Sequence, residues 1–252
     1  MIISSIEKTF RFLFKQKDVL LLGLANWILT NIISLVLIST LAIQTPQPDF
    51  QSLAGSLSDV SKVASNIYAL ILGTAVIFII TSLISIFFTT AVYRYILRKN
   101  LYVALNEAPK VYVNLVVGRV LQFLIFLAIA LVGVILSFAA APLLFVIVPV
   151  IILIENKLIF MDLMICLKEK SPVDSIKSSW EYSNKFFWRI LATSLLLGLI
   201  IGIPMIIIYL ASVFLLGEIG SIIYGVLSGL TFPLNHILAV MMYVNIGEQR
   251  RS

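Results

Sequence analysis

Residues 119–155 read RVLQFLIFLAIALVGVILSFAAAPLLFVIVPVIILIE, and the number of helices in the chain turns on how this stretch is divided. Between Arg119 and Glu155 stand 35 residues without a charge. As one helix they would measure about 52 Å, against a bilayer hydrocarbon core of roughly 30 Å. Pro142, after Ala139, Ala140 and Ala141, offers a turn that predicts two spans joined as a hairpin.

The rest of the chain says why a bilayer is the expected solvent. Of 252 residues, 61% are apolar and only 12% charged, and the mean hydropathy is +1.10. Soluble domains are about half apolar and a quarter charged, so this chain lacks the polar side chains to cover a water-facing surface. Further uncharged stretches run over 19–43, 63–93, 190–217 and 219–247. The sequence therefore predicts an all-α integral membrane protein, a single domain over 1–252. Its six spans are expected at about 19–43, 63–93, 120–140, 143–167, 190–217 and 221–247.

Charge placement tests the division. With six spans, residues 1–18, 94–119, 168–189 and 248–252 share one side and hold 16 of the 18 Lys and Arg. Lys62 is alone on the other side, and Lys157 falls within a span. An excess of this kind marks the cytoplasmic face, which predicts a multi-pass protein of the cell membrane with both termini cytoplasmic. A single span over 120–154 would put the whole 168–189 cluster outside. The first span is too long for a signal-peptide core and lacks a small-residue cleavage site, so it is expected to be retained. The loop 45–61 (TPQPDFQSLAGSLSDVS) is polar and turn-rich, whereas the connections near Pro142 and near Gly217–Gly220 are too short for a soluble domain.

The net charge of +6 is spread in short clusters with no continuous basic stripe, which argues against nucleic acid as a partner. The lone Cys166 excludes an internal disulfide and a cysteine-rich metal site.

Two cytoplasmic segments read as amphipathic helices lying in the headgroup region, with membrane lipids as their partners. Ser171-Pro172-Val173-Asp174 is a helix start: a capping serine, a proline in the first turn and an acid at the third position. Val173, Ile176, Trp180 and Phe187 then oppose Lys177, Glu181 and Lys185. At the N-terminus Ile6, Phe10, Leu13 and Phe14 oppose Glu7, Lys8, Arg11 and Lys15. Phe10, Arg11, Trp180, Lys185 and Trp188 are the expected interfacial residues. They serve either as anchors that set the depth of the bundle or as a docking face for a partner or anionic lipid.

The two segments also match each other. At an offset of 170, Ser5-Ile6, Phe10, Phe12, Lys15 and Leu20 align with Ser175-Ile176, Trp180, Tyr182, Lys185 and Ile190. Arg119-Val120-Leu121 echoes Arg189-Ile190-Leu191. The pattern predicts three units of interfacial helix plus hairpin, repeated in parallel about an axis along the membrane normal.

Glu169-Lys170-Ser171-Pro172, Ile176, Ser179-Trp180 and Phe187-Trp188-Arg189-Ile190 carry a resemblance. They are similar to a signature of a broad prokaryotic group of multi-pass proteins, those like the membrane domain of glycerophosphoryl diester phosphodiesterases and the YciC-like membrane proteins. The detailed likeness covers about 142–205. The chain departs from it with Ser175 where alanine is usual and Asn184-Lys185 where Lys-Gly is usual. The resemblance implies six spans and an acid, Glu169, at the exit of the fourth. No phosphodiesterase domain is present, so it implies no hydrolase activity.

Ionisable groups at membrane depth are costly and suggest function by default. The expected fourth span holds Glu155, Asn156, Lys157 and Asp162, and the sixth holds Asn235 and His236. Glu155 and His236 fall at similar depth, about 18–22 Å from the external side. Glu155 and Asp162 share a helix face, and Lys157 points nearly opposite Glu155. Three readings stay open: local hydrogen bonding with Lys157 snorkelling, a span that ends near Lys157, or a polar cavity between spans four and six. Gly198 with Gly202 and Gly225 with Gly229 permit close helix contact, within the chain or across a homodimer. Pro149, Pro204 and Pro233 lie within spans and could kink them.

Chemistry is harder to find. The chain has no His-Glu-x-x-His, no Gly-x-Ser-x-Gly and no phosphate loop. One histidine and one cysteine make a zinc site improbable, and no cofactor or metal is expected. The sequence predicts a non-enzymatic protein of one of two classes. One is a carrier or facilitator for a lipid, peptide or small solute, with Glu155 and His236 in a shared cavity. The other is a structural or accessory protein that organises partners or lipids through its interfacial helices, with a closed, dry core.

Overall fold

The computed structural model describes residues 2–44, 60–139 and 144–249. The expected turn at Pro142, most of the loop 45–61 and the C-terminal arginines lie outside these residues. The described chain is helical, without strands: α1 Ile2–Lys15, α2 Lys17–Gln44, α3 Val60–Arg98, α4 Leu101–Ala139, α5 Leu144–Leu158, α6 Met161–Lys168, α7 Pro172–Asn184 and α8 Phe187–Gln249. Among the described residues, five stretches are long and apolar enough to cross a membrane: Lys17–Thr40, Ile71–Arg98, Leu101–Ile135, Phe187–Ser212 and Ile222–Gly247.

Helix α8 holds two of these stretches because it doubles back. A straight helix of its 63 residues would run about 95 Å. Instead the Tyr209 and Tyr224 rings lie 5.1 Å apart, and a Cβ on Gly220 would stand 2.3 Å from the Ser212 carbonyl. The 35 uncharged residues divide as expected, between α4 and α5. Gly133 lies against Ile147, whose Cδ1 would meet a Cβ there at 2.0 Å.

Contacts divide the chain into two compact units: Met1–Leu24 with Ile86–Ser252, and Ala25–Ser85. The smaller unit leaves Ile32, Leu35, Ile71, Phe78 and Ile79 more than half exposed. Side chains of this kind bind no protein core and are stable only against another apolar phase.

The larger unit concentrates its core at the charged ends of its helices. Ile6 of α1, Tyr93 of α3, Leu115 of α4, Leu163 and Ile165 of α6, and Met242 and Ile246 of α8 are buried together. Towards the opposite ends, Phe123, Leu131, Leu199 and Ile206 are exposed. Each docked helix presents small residues inward at four-residue spacing: Ser5 and Thr9 on α1, Ala104 and Ala108 on α4, and Ser175, Ser179 and Ser183 on α7, all fully buried. The expected apolar faces divide between core and surface, with Ile6 and Leu13 of α1 buried. Val173, Trp180 and Phe14 point away from the protein, which is where a helix at a lipid surface sends its apolar side chains.

A correction concerns 143–167, expected as one helix. It breaks at Ile159-Phe160 into α5 and α6. A break leaves carbonyls and N–H groups without helical partners, and α7 supplies them. Ser179 Oγ donates to the Lys157 carbonyl at 2.8 Å and accepts from the Phe160 N–H at 3.2 Å, while Ser183 Oγ donates to the same carbonyl at 3.2 Å. Phe160 is fully buried edge-on to Tyr182 and Tyr243, with ring centres at 5.4 and 5.9 Å. Aromatic packing and two hydroxyls replace the missing turn.

Two further turns are alike. Lys99 after α3 and Glu169 after α6 take the left-handed conformation, with φ of 54° and 52°, alone among described non-glycine residues. Buried Arg94 donates to Glu169 Oε1 at 2.7 Å and lies 3.7 Å from Glu107 Oε2, so one arginine ties the α6 exit to α4.

Candidate functional site

A cavity of about 670 Å³ opens between Tyr93 of α3, α4, the α5–α6 break and both halves of α8. Its position follows from the backbone. Gly118 lets α4 close on α6, since a Cβ there would meet Ile165 Cδ1 at 2.7 Å. That approach brings Arg119 to Asp162, and the break at Ile159-Phe160 aims Asp162 into the same space as Glu155 and Asn156.

Five residues of the expected polar cluster line this cavity: Glu155, Asn156, Asp162, Asn235 and His236. Lys157 does not. It turns to the other side of α5, donates to Asn184 and stands over the Phe187 ring at 4.8 Å. The opposition of Lys157 and Glu155 around the helix is what separates them.

Arg119 is a cavity residue that charge counting did not single out. Read as a topology marker, it instead forms an ion pair with Asp162 and donates to Gln122 Oε1 at 3.0 Å. The signal was present in Arg119 and Gln122, three residues apart on one helix face at the mouth of an uncharged run. Thr89 was also missed: its Oγ1 lies 3.4 Å from His236 Nε2. Tyr93 and Phe232 meet the imidazole edge-on, with ring centres at 5.3 and 5.2 Å.

The cavity wall is polar and incompletely satisfied. Asn156 donates to the Ile152 carbonyl at 2.8 Å, but its Oδ1 has no protein partner. Asp162 Oδ1 and Ser194 Oγ, on the same wall, have none either. Unpaired buried polar atoms cost about 1–3 kcal/mol each, so a polar occupant or ordered water would be favoured here. Charges on the wall comprise one guanidinium, Arg119, against the carboxylates Glu155 and Asp162. No group of three or more metal-ligating side chains occurs among the described residues.

The expected glycine contacts divide. Gly229 is closely approached, because a Cβ on Gly23 of α2 would meet its carbonyl oxygen at 2.2 Å. Gly198 and Gly202 meet nothing within 4 Å, so they make no close contact inside the chain. The space in front of them is open. Among the interfacial residues, Phe10 is half-buried and stacks on Phe14, with Arg11, Trp180, Lys185 and Trp188 exposed.

Among the described residues the chain is thus all helical, with five stretches fit to cross a membrane and a polar cavity at the broken helix. Comparison with protein-family models, with curated proteins and with solved structures finds no match.

Proposed function

We propose that the chain is a non-enzymatic carrier or facilitator of the cell membrane, moving a polar solute, a peptide or a lipid headgroup through the cavity at the α5–α6 break. The observation that carries this reading is the wall itself. Glu155 and His236 line one space, with the unpaired oxygens of Asn156, Asp162 and Ser194 beside them. A closed, dry core of an accessory protein would have paired these atoms locally. A discontinuous helix beside a polar space is also a usual element of transport sites.

The topology that goes with this is six spans, α5 being the short one, with both termini cytoplasmic. Its 15 residues reach about 22 Å, and the α6 turn completes the crossing. We further propose three parallel units. Buried Ser5 and Thr9 stand 170 positions before buried Ser175 and Ser179, and left-handed Lys99 stands 70 before left-handed Glu169. Asn100 caps α4 through the Val103 N–H, and Ser171 caps α7 through the Asp174 N–H, at 3.2 Å in both cases. The likeness to the glycerophosphodiesterase membrane-domain and YciC-like group is retained as a proposal on residues 142–205.

The test uses the lone cysteine. In a Cys166→Ser background, single cysteines replace Ser194, Asn235 and, as an outward control, Leu199. A membrane-impermeant thiol reagent should label the first two positions and spare the third. Failure to label Ser194→Cys and Asn235→Cys from either side would mean a dry core and would remove the carrier reading.

A further inference from the structure

On the far side of α5 from the cavity lies a second concavity of about 760 Å³, between α5, the end of α7 and the start of α8. Its charged lining residues are Lys157, Lys185 and Arg189, with no carboxylate among them. We propose that this groove binds the phosphate of an anionic phospholipid, with the acyl chains lying along α5. The proposal rests on the membrane reading above but not on the cavity.

The sequence explains why cations gather here. Lys157 lies on the face of α5 opposite Glu155. The turn at Lys185-Phe186, between α7 and α8, carries Lys185 to the same place, and Arg189 follows one turn into α8. The Lys157 ammonium is held without an acid. It donates to the Asn184 amide oxygen and stands 4.8 Å from the Phe187 ring centre and 5.8 Å from that of Trp180. An ammonium so placed faces the groove without a carboxylate partner.

The rest of the groove has the amphipathic shape of a lipid. Val150, Leu153 and Ile154 form an apolar floor that runs away from the cationic end. Trp188 at the mouth is 76% exposed, and exposed indoles sit at headgroup depth, where the ring is half apolar and half wet. Basic pockets between helices at the membrane surface are the usual seats of anionic headgroups.

The experiment takes the full chain in neutral detergent and adds phosphatidylglycerol, phosphatidylcholine or inorganic phosphate. Thermal midpoint and lipid retained in native mass spectrometry are the readouts. Phosphatidylglycerol alone should raise the midpoint and be retained. Each surface cation contributes a factor of about five, so Lys185→Gln with Arg189→Gln should weaken apparent affinity roughly 25-fold. Arg11→Gln with Lys15→Gln on α1 should leave it unchanged. The charge-keeping pair Lys185→Arg with Arg189→Lys should fold and bind, which separates loss of the site from loss of the fold. Glu155→Gln should not alter lipid retention, which separates this site from the cavity. Equal stabilisation by phosphatidylcholine, by inorganic phosphate, or equal loss in the α1 control would overturn the proposal.

Discussion

Helices α1 and α7 are the same device put to different uses. Each is a short amphipathic helix whose buried face is a hydroxyl stripe, at positions 170 residues apart. On α1, Ser5 Oγ accepts from Asn245 Nδ2 at 2.7 Å, Lys8 donates to Asn245 Oδ1 at 2.7 Å, and Thr9 bonds its own helix at the Ser5 carbonyl. The partner, α8, is intact there. On α7, Ser179 and Ser183 bond backbone groups that exist only because the neighbouring helix is broken. The difference teaches that a hydroxyl face can either join two finished helices or complete an unfinished one. Only the second use opens space for a polar site.

The largest effect should come from the unfinished helix. Ser179→Val removes both bonds to the break and adds bulk at a fully buried position, so it should cost about 3 kcal/mol in thermal unfolding. An equally large loss from Thr9→Val would break the comparison, since Thr9 serves no foreign backbone. Next comes Asp162→Asn, which uncouples α6 from α4. Removing one partner of a fully buried pair costs about 3–5 kcal/mol, but Arg119 is 38% exposed, so about 2 kcal/mol is expected. Adding Arg119→Gln should give less than the sum of the two single losses in a double-mutant cycle.

The smaller effects carry the sharper contrast, because they differ in sign at aligned positions. Ser5→Ala loses the bond from Asn245 and should cost about 1 kcal/mol. Ser175→Ala should be neutral or mildly stabilising, within about 0.5 kcal/mol, because Ser175 Oγ is buried without a partner. Matching losses at both positions would show that the two stripes pack alike after all.

Hydropathy and charge made the helices legible, down to the division of the long uncharged run into α4 and α5. Most of the polar cluster could be read as well, since Glu155, Asp162 and His236 stand out in an apolar background. Three things were hidden. The packed stripes of α1 and α7 are made of serine and threonine, which apolar periodicity does not register. The break at Ile159-Phe160 carries no proline or glycine; it exists through aromatic packing and through serines on another helix. Arg119 was counted only with the basic residues of 94–119 because its partner, Asp162, reaches it only after that break.

The seat of α1 has a consequence for how the protein is made. Ser5 and Lys8 meet Asn245, and Ile6 shares a core with Met242 and Ile246. At about 5–20 residues per second, α1 leaves the ribosome tens of seconds before its partner residues exist. Through that interval its exposed Phe14 and half-buried Phe10 can rest only on lipid. The last turns of α8 then act as a latch that seats α1, so a nascent chain halted before residue 242 would hold the earlier helices with α1 still unseated.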